Sequence, residues 1–389
     1  MQVCHVSPHL PPDQAANALL PAELGRWTHA RGMSVSFVTQ PPTQGGPVAD
    51  SLPGPVYRVA PRSASRFARV TRVDTFRRAR AIARALDQAA AGADLLHLHS
   101  NGLIVEVAAD WARRHRRPYV LTLYGTEIWH YRKRWPLDPF TRAYQRASEV
   151  TFYSEGLLSR ARELGLERQA LSVVYPAVNT SFARLDDQAR QALRVALGVH
   201  EPRLILNVKR LHELAGQQYL IGAFARIARQ RDDVRLVICG TGPLEAQLRA
   251  QAQAAGLAGR VTFTGLITNA EVARFAAAAD VFALPSLLEA LPTVAVEALA
   301  AGTPVVSADH PGGIELQQLF GEDVVVVPRR DEDALAHALG ARLDIPRRAR
   351  PETAEIIVQR FSPDAVRAAY EAVYDRALPR SVLAGRTGA

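Results

Sequence analysis

The chain has 389 residues, 48% of them hydrophobic, two cysteines and a formal net charge of +9. That length exceeds what one hydrophobic core usually serves, so two domains are expected. No apolar run of about eighteen residues occurs, which argues against a helical membrane span. The start, Met1-Gln2-Val3-Cys4-His5-Val6, lacks the basic and apolar regions of a signal peptide, and a cytoplasmic protein is expected. Cys4 and Cys239 stand too far apart in apolar runs to suggest a metal or disulfide framework.

Only Lys133 and Lys209 are lysines, so 47 − 2 leaves 45 arginines among the basic residues. With so much alanine, this skew reads as coding bias and weakens a nucleic-acid reading of the charge. Local clusters say more. Arg62, Arg66, Arg69, Arg77, Arg80 and Arg84 would share one face if their segment were a single helix. Arg113-Arg114-His115-Arg116-Arg117 and Arg132-Lys133-Arg134-Trp135 add two further clusters. Each is either a solvated face or a surface for an anionic acceptor or lipid headgroups.

Along the chain, short apolar runs alternate with alanine-rich helical segments, the pattern of parallel sheets with crossover helices. The first series of strands is Val3–Val6, Val35–Val38, Leu95–Leu98, Tyr119–Leu123 and Val150–Tyr153. The second is Leu204–Val208, Val234–Cys239, Arg260–Phe263, Val281–Leu284, Pro304–Ser307 and Val324–Val327. This predicts an α/β protein of two doubly wound, Rossmann-like domains. Their expected spans are 1–185 and 201–358, joined by a polar linker at 186–200. A final helix at 359–380 follows the start signal Ser362-Pro363, and the tail 381–389 reads as disordered.

Several turns carry possible chemistry. After Leu204–Val208 come Lys209 and Arg210, cations at a strand end where a phosphate can be gripped. Gly240-Thr241-Gly242-Pro243 follows another strand. It lacks the third glycine and the acidic ribose reader of a dinucleotide fingerprint, so a tight strand-to-helix turn is the stronger reading. Val261-Thr262-Phe263-Thr264-Gly265 ends at Leu266 and Ile267. Glu289 and Glu297, with seven residues between them, flank a helix start at Pro292. Such a loop lies at the carboxyl end of a strand, where open α/β sheets bind ligands. Paired carboxylates there can accept hydrogen bonds from sugar or ribose hydroxyls. Gly312-Gly313 lets a backbone approach a ligand closely.

The order and spacing of these segments resemble the retaining glycosyltransferases of family four (glycosyl transferase group 1), built on the GT-B fold. The match runs from the Arg210 turn through Gly240–Leu244, Val261–Gly265, Glu289 and Glu297 to Gly302–Val306 and Gly312-Gly313. In the first half, His97-Leu98-His99-Ser100 and Tyr175–Phe182 resemble family segments more loosely. The resemblance implies two domains facing a cleft and transfer of a sugar, with retention, from a UDP- or GDP-linked donor to an acceptor hydroxyl. It implies no metal and no cofactor besides that donor. Glu297 would hold ribose hydroxyls, Glu289 the transferred sugar, and Arg210 with Lys209 the leaving diphosphate. Gly242 and the segment Leu291, Pro292, Thr293 and Val294 would line the donor site, with Leu266 and Ile267 against the base. Tyr124 would act beside the reacting sugar, and His99, Glu127, Ala15 and Ala16 on the acceptor side. The acceptor would be anionic or lipid-linked, with peripheral membrane contact through the N-terminal arginines and no nucleic-acid partner.

The sequence departs from the family pattern at four places. Ala215 stands where a lysine is usual, Asp13-Gln14-Ala15-Ala16 where a glycine pair is usual, Tyr124 in place of a histidine, and Asn179 in place of an aspartate. A non-catalytic nucleotide-sugar-binding protein, or an epimerase or phosphorylase on the same fold, is therefore the alternative expectation.

Overall fold

A computed structural model describes residues 1–13, 16–42, 52–59, 73–133 and 138–378. The chain divides into two units, Met1–Tyr175 with Val366–Ala389, and Pro176–Ala365.

The first unit is built on a seven-stranded parallel sheet, β1 (Gln2–Ser7), β2 (Ser34–Thr39), β3 (Val56–Arg58), β4 (Leu95–His99), β5 (Tyr119–Leu123), β6 (Glu149–Phe152) and β7 (Leu171–Val173). Their spatial order is β3-β2-β1-β4-β5-β6-β7. Pairing Val3 with Val35 and with Leu95 places β1 at the point where chain order reverses. The central strands are buried along their whole length, as parallel strands covered on both faces must be. The last helix, Pro363–Ala377, runs into this unit. Its Tyr370 and Tyr374 are buried, and Tyr374 Oη lies 2.8 Å from His97 Nδ1. Arg376 reaches the buried Glu149 at 3.1 Å.

The second unit repeats the plan with β8 (Arg203–Val208), β9 (Val234–Cys239), β10 (Val261–Gly265), β11 (Val281–Leu284), β12 (Val305–Ala308) and β13 (Val324–Val327). The order is β10-β9-β8-β11-β12-β13, all parallel. Phe224, Ile238, Ala283 and Leu339 belong to its apolar core. β8 and β11 pair at only Val281 with Ile205 and Phe282 with Leu206. Beyond that, buried Asn207 spans them by donating to the Ala283 carbonyl at 2.9 Å. Backbone pairing of the two strands ends there, at the carboxyl end where doubly wound sheets bind ligands.

The stretch 186–200, expected as a linker, instead contains a helix, Asp187–Ala196, and belongs to the second unit. Asp186 caps it by accepting from Ala189 N at 2.7 Å. Arg190 and buried Arg194 both reach Asp280, at 2.6 and 3.0 Å, and Leu204 N donates to the same carboxylate at 2.7 Å. Charge pairing holds this helix where an apolar stripe usually would. The unit boundary falls earlier than expected, at Tyr175. The tail 381–389 lies outside the described residues.

Candidate functional site

The second unit carries most of the expected donor-side residues on loops beyond the carboxyl ends of its strands. β8 ends at Val208, so Lys209 and Arg210 are loop residues and do not alternate as strand neighbours would. Lys209 is half-buried and its Nζ lies 2.5 Å from Glu289 Oε1. Arg210 is exposed beside it. The loop after β11 is pinned on three sides. Leu287 N donates to Leu214 O at 2.8 Å and Gly312 N to Glu289 O at 3.1 Å. Arg329 Nη1 donates to Leu287 O at 3.3 Å. Gly312 is required here, since a Cβ on it would fall 2.8 Å from Pro292 Cδ and 2.9 Å from Ala290 O. The loop that holds Glu289 is therefore fixed by backbone contacts rather than by its own side chains.

Pro292 is the N-cap of the helix Thr293–Ala300, and no side chain caps that helix. Its first amide groups, with Leu291 and Pro292 buried and Thr293 and Val294 half-buried, form a positive helix end suited to an anion. Glu297 follows in the second turn of the same helix. Burial pushes its carboxyl up to about 7, and no neighbouring charge offsets the loss of water. Among the described residues this half-buried carboxylate has no hydrogen-bond donors, and hydroxyl groups of a ligand would supply them.

Gly240 and Gly242 play a structural part. A Cβ on Gly240 would sit 2.2 Å from Lys209 O, and one on Gly242 would sit 2.1 Å from Leu211 O. The pair lets this turn pack flat against the Lys209–Leu211 backbone. The following helix starts at Glu245. Beyond β10, Leu266 is 83% exposed and Ile267 half-buried, an apolar ledge at the strand's carboxyl end.

Two histidines here were not singled out by the sequence reading. His212 caps a short turn, accepting from Leu214 N at 3.2 Å. Its pKa is lowered by burial and by Lys209, against an opposing pull from Glu289. His310 caps the helix Pro311–Phe320 by accepting from Gly313 N at 3.0 Å. Burial, then Lys209 and Arg329, push it down to about 3. The signal was present as His310-Pro311, an N-cap followed by proline in the first helical position.

In the first unit, β1 and β4 bring three histidines to one face of the sheet, all buried. His5 Nδ1 lies 3.1 Å from His99 Nε2, and His99 Nδ1 lies 2.8 Å from Tyr124 Oη. His97 stacks on His99 at 4.0 Å between ring centroids and meets Thr122 at 2.7 Å. Burial lowers all three histidine pKa values and raises that of Tyr124. Tyr124 is thus held by the His99 imidazole. Glu127 is buried and accepts from Ser100 Oγ, from Tyr124 N at 3.2 Å and from Gly125 N at 2.8 Å. These bonds make it an anchor for the Tyr124 loop. Ala15 lies outside the described residues, and Ala16 begins the helix Ala16–Ala30. Asp13 is buried and meets His9 Nδ1 at 2.9 Å.

Of the arginine clusters, Arg77, Arg80 and Arg84 are exposed on the helix Val73–Ala89. Arg62, Arg66, Arg69, Arg134 and Trp135 lie outside the described residues. Arg113 and Arg114 pair with Asp110 at 3.0 and 3.1 Å, a solvated face. Among the described residues, no helix is long and apolar enough to cross a membrane.

Comparison with known proteins agrees with this geometry. The model described as "Glycosyl transferases group 1" matches residues 189–355, and "Glycosyltransferase Family 4" matches residues 21–182. The chain belongs to the family-four glycosyltransferases. It is similar to a GDP-mannose-dependent alpha-(1-6)-phosphatidylinositol monomannoside mannosyltransferase of Mycolicibacterium smegmatis, 34% identical over 245 residues. That match covers 60% of this chain and 63% of the relative. A putative teichuronic acid biosynthesis glycosyltransferase, TuaC of Bacillus subtilis, is 31% identical over 252 residues, 63% of this chain and 60% of the relative. The chain thus spans about three fifths of the length of these relatives.

Solved structures share the fold across nearly the whole chain. Anabaena Alr3699/HepE in complex with UDP and glucose gives a TM-score of 0.77 at 18% identity, covering 96% of this chain and 99% of that one. Sucrose-phosphate synthase from Thermosynechococcus elongatus gives 0.75 at 21% identity, covering 99% of each. The fold is GT-B.

Proposed function

We propose that the protein transfers a hexosyl group from a UDP- or GDP-linked donor to an acceptor hydroxyl, with retention and without a divalent metal. The observation that carries this reading is the half-buried Glu297, without a partner among the described residues and with its carboxyl raised to about 7, on a helix whose N-terminus no described side chain caps. A nucleotide diphosphate sugar meets both needs. Its ribose hydroxyls donate to Glu297, and its phosphates accept from the helix amides.

Breaking the glycosyl–phosphate bond leaves the electron pair on phosphate and positive charge on the sugar ring. In the proposed reaction Lys209, Arg210 and the helix dipole stabilise the departing diphosphate, a contribution of several kcal/mol when such groups are fixed beforehand. Glu289 binds the sugar's hydroxyls once Lys209 turns to phosphate. The departing phosphate oxygen takes the acceptor's proton as the new glycosidic bond forms on the same face. Leu266 and Ile267 cover the base.

Support for the donor class also comes from relatives whose names specify GDP-mannose and from a neighbour solved with UDP-glucose. For the partner side, the exposed Phe76 and Val73 beside Arg77, Arg80 and Arg84 suit shallow contact with an anionic lipid surface. The experiment is transfer from nucleotide-linked glucose and mannose to candidate acceptors, with the product's anomeric coupling read by NMR and EDTA added in parallel. A product of inverted configuration, or activity abolished by EDTA, would overturn the mechanism.

A further inference from the structure

Beyond Val208 the chain runs Lys209-Arg210-Leu211-His212 into a turn, Glu213–Ala215, before the helix Gln217–Gln230 begins. His212 caps that turn, its Nδ1 accepting from Leu214 N at 3.2 Å. A serine, aspartate or asparagine would cap it equally well with a shorter side chain. An imidazole brings a second nitrogen, and the cap decides the state of that nitrogen. Because Nδ1 must offer a lone pair to the Leu214 amide, the proton of the neutral ring sits on Nε2. Nε2 has no partner among the described residues and is not sealed from solvent.

The surroundings of this N–H favour an anion. Lys209 and Arg210 precede it on its own loop, Glu289 comes from the loop after β11, and these are the charges that act on the ring. Glu289 is committed to Lys209. Leu214 O, in the same turn, accepts from Leu287 N at 2.8 Å, which fixes the turn against the Glu289 loop. Burial, then Lys209, hold the ring's pKa below its ordinary value of 6.5, against the pull of Glu289, so the ring is neutral at pH 7. His212 is thus a half-buried donor of fixed orientation, next to Lys209 and Arg210 at the carboxyl end of β8.

We infer that His212 is a further donor-site residue, whose Nε2–H donates to a phosphate oxygen of the nucleotide diphosphate. The inference rests on the nucleotide-sugar reading of the second unit and names a contact within it. A diphosphate beside the ring offsets the repulsion from Lys209 and Arg210 and favours the imidazolium, so binding takes up a proton. The ring's pKa in the complex then lies above its value in the free protein. Affinity is therefore full at pH below the free value and declines as pH rises through the bound one.

Two substitutions separate the capping nitrogen from the outer one. His212→Asn keeps an acceptor for Leu214 N and removes the outer donor, whereas His212→Gln reaches outward with a neutral donor that does not titrate. Titration calorimetry on the full chain with UDP, UDP-glucose and GDP-mannose, at pH 6 and pH 8, compares both with the wild type. The nucleotide sugars are the pH probes, because they lack the terminal phosphate that titrates in this range. Glu297 also titrates there, but in all three proteins alike, so their differences isolate His212. In His212→Asn, binding of whichever nucleotide sugar the wild type takes should weaken about tenfold at pH 6, roughly the factor for one lost charge-assisted bond. UDP should weaken in step, and the melting midpoint should stay near that of the wild type. His212→Gln should bind better than His212→Asn. In both variants the gain in affinity from pH 8 to pH 6 should be about threefold or more below the wild type's, as for a shift of half a pKa unit or more. The inference is overturned by His212→Asn affinity within about twofold of wild type, by one pH dependence in all three proteins, by His212→Gln binding more weakly than His212→Asn, or by a loss confined to the nucleotide sugars and absent for UDP. Each of these leaves the nucleotide-sugar reading intact. A wild type that binds none of the ligands removes that reading, and this contact with it.

Discussion

Lys209 Nζ and Glu289 Oε1 stand 2.5 Å apart beyond the carboxyl ends of β8 and β11. They lie far apart in sequence, yet each is the other's partner. Under the proposed function a donor must divide the pair, with phosphate drawing Lys209 and sugar hydroxyls drawing Glu289. Lys209→Met should then weaken UDP or GDP binding roughly tenfold to a hundredfold, the loss of one charge-assisted contact. Glu289→Gln should leave nucleotide affinity within about threefold and lower turnover by about 10² or more, as loss of one electrostatic contact made in the transition state does. Titration calorimetry and steady-state rates would show this split; equal effects on binding in both variants would contradict it.

Glu297 trades stability for binding. Its folded pKa of about 7 exceeds the usual 4.5, so the folded state keeps a proton that the unfolded chain releases between those values. Stability therefore falls as pH rises from about 4.5 to 7 and stays reduced above. Glu297→Gln should be more stable at pH 8 by up to about 3 kcal/mol, with the gain vanishing near pH 4. Denaturant unfolding at both pH values checks this. A variant less stable than wild type at pH 8 would sink the argument.

The buried histidines act in the opposite sense. His5 is pushed down to about 3 by burial, and His97 and His99 are lowered in the same way. Below the ordinary value of 6.5 the unfolded chain takes up protons that the folded chain refuses. Stability should fall as pH drops from about 6.5 towards 3, with His5 alone contributing about 2 kcal/mol of loss by pH 5. Urea midpoints from pH 7.5 to 5 should drop accordingly, and His5→Gln should flatten the slope. An unchanged slope would show that His5 is not buried neutral.

Asp280 receives Arg190, Arg194 and the Leu204 amide. Removing it strands the buried Arg194 charge, so Asp280→Ala should cost about 3–5 kcal/mol. Thermal unfolding measures this, and a loss below about 1 kcal/mol would mean the helix Asp187–Ala196 is held by something else.

Legibility followed physical cause. β5, β9, β11 and β13 were readable to the residue because each is a short, largely apolar run with sharp ends. β3 and β7 escaped because each is a three-residue, half-buried edge strand with too little pattern to register. The helix Asp187–Ala196 passed for a linker because its one buried residue is Arg194; a helix docked by ion pairs leaves no apolar period. Glu289 and Glu297 could be found from the helix start between them. The Lys209 partner of Glu289 could not, because it depends on a contact that only the folded sheet creates. Glu127 was expected on the acceptor side; what the sequence could not show is its bonding to Ser100, Tyr124 and Gly125, all in neighbouring loops.

The most direct measurement is thermal shift of the full chain with UDP, GDP and their glucose and mannose derivatives, repeated on Glu297→Ala. The account predicts that at least one of these ligands raises the midpoint of the wild type by several degrees, that the nucleotide sugar does so at least as well as the bare nucleotide, and that Glu297→Ala loses most of the shift. A wild type that no nucleotide or nucleotide sugar stabilises would contradict it.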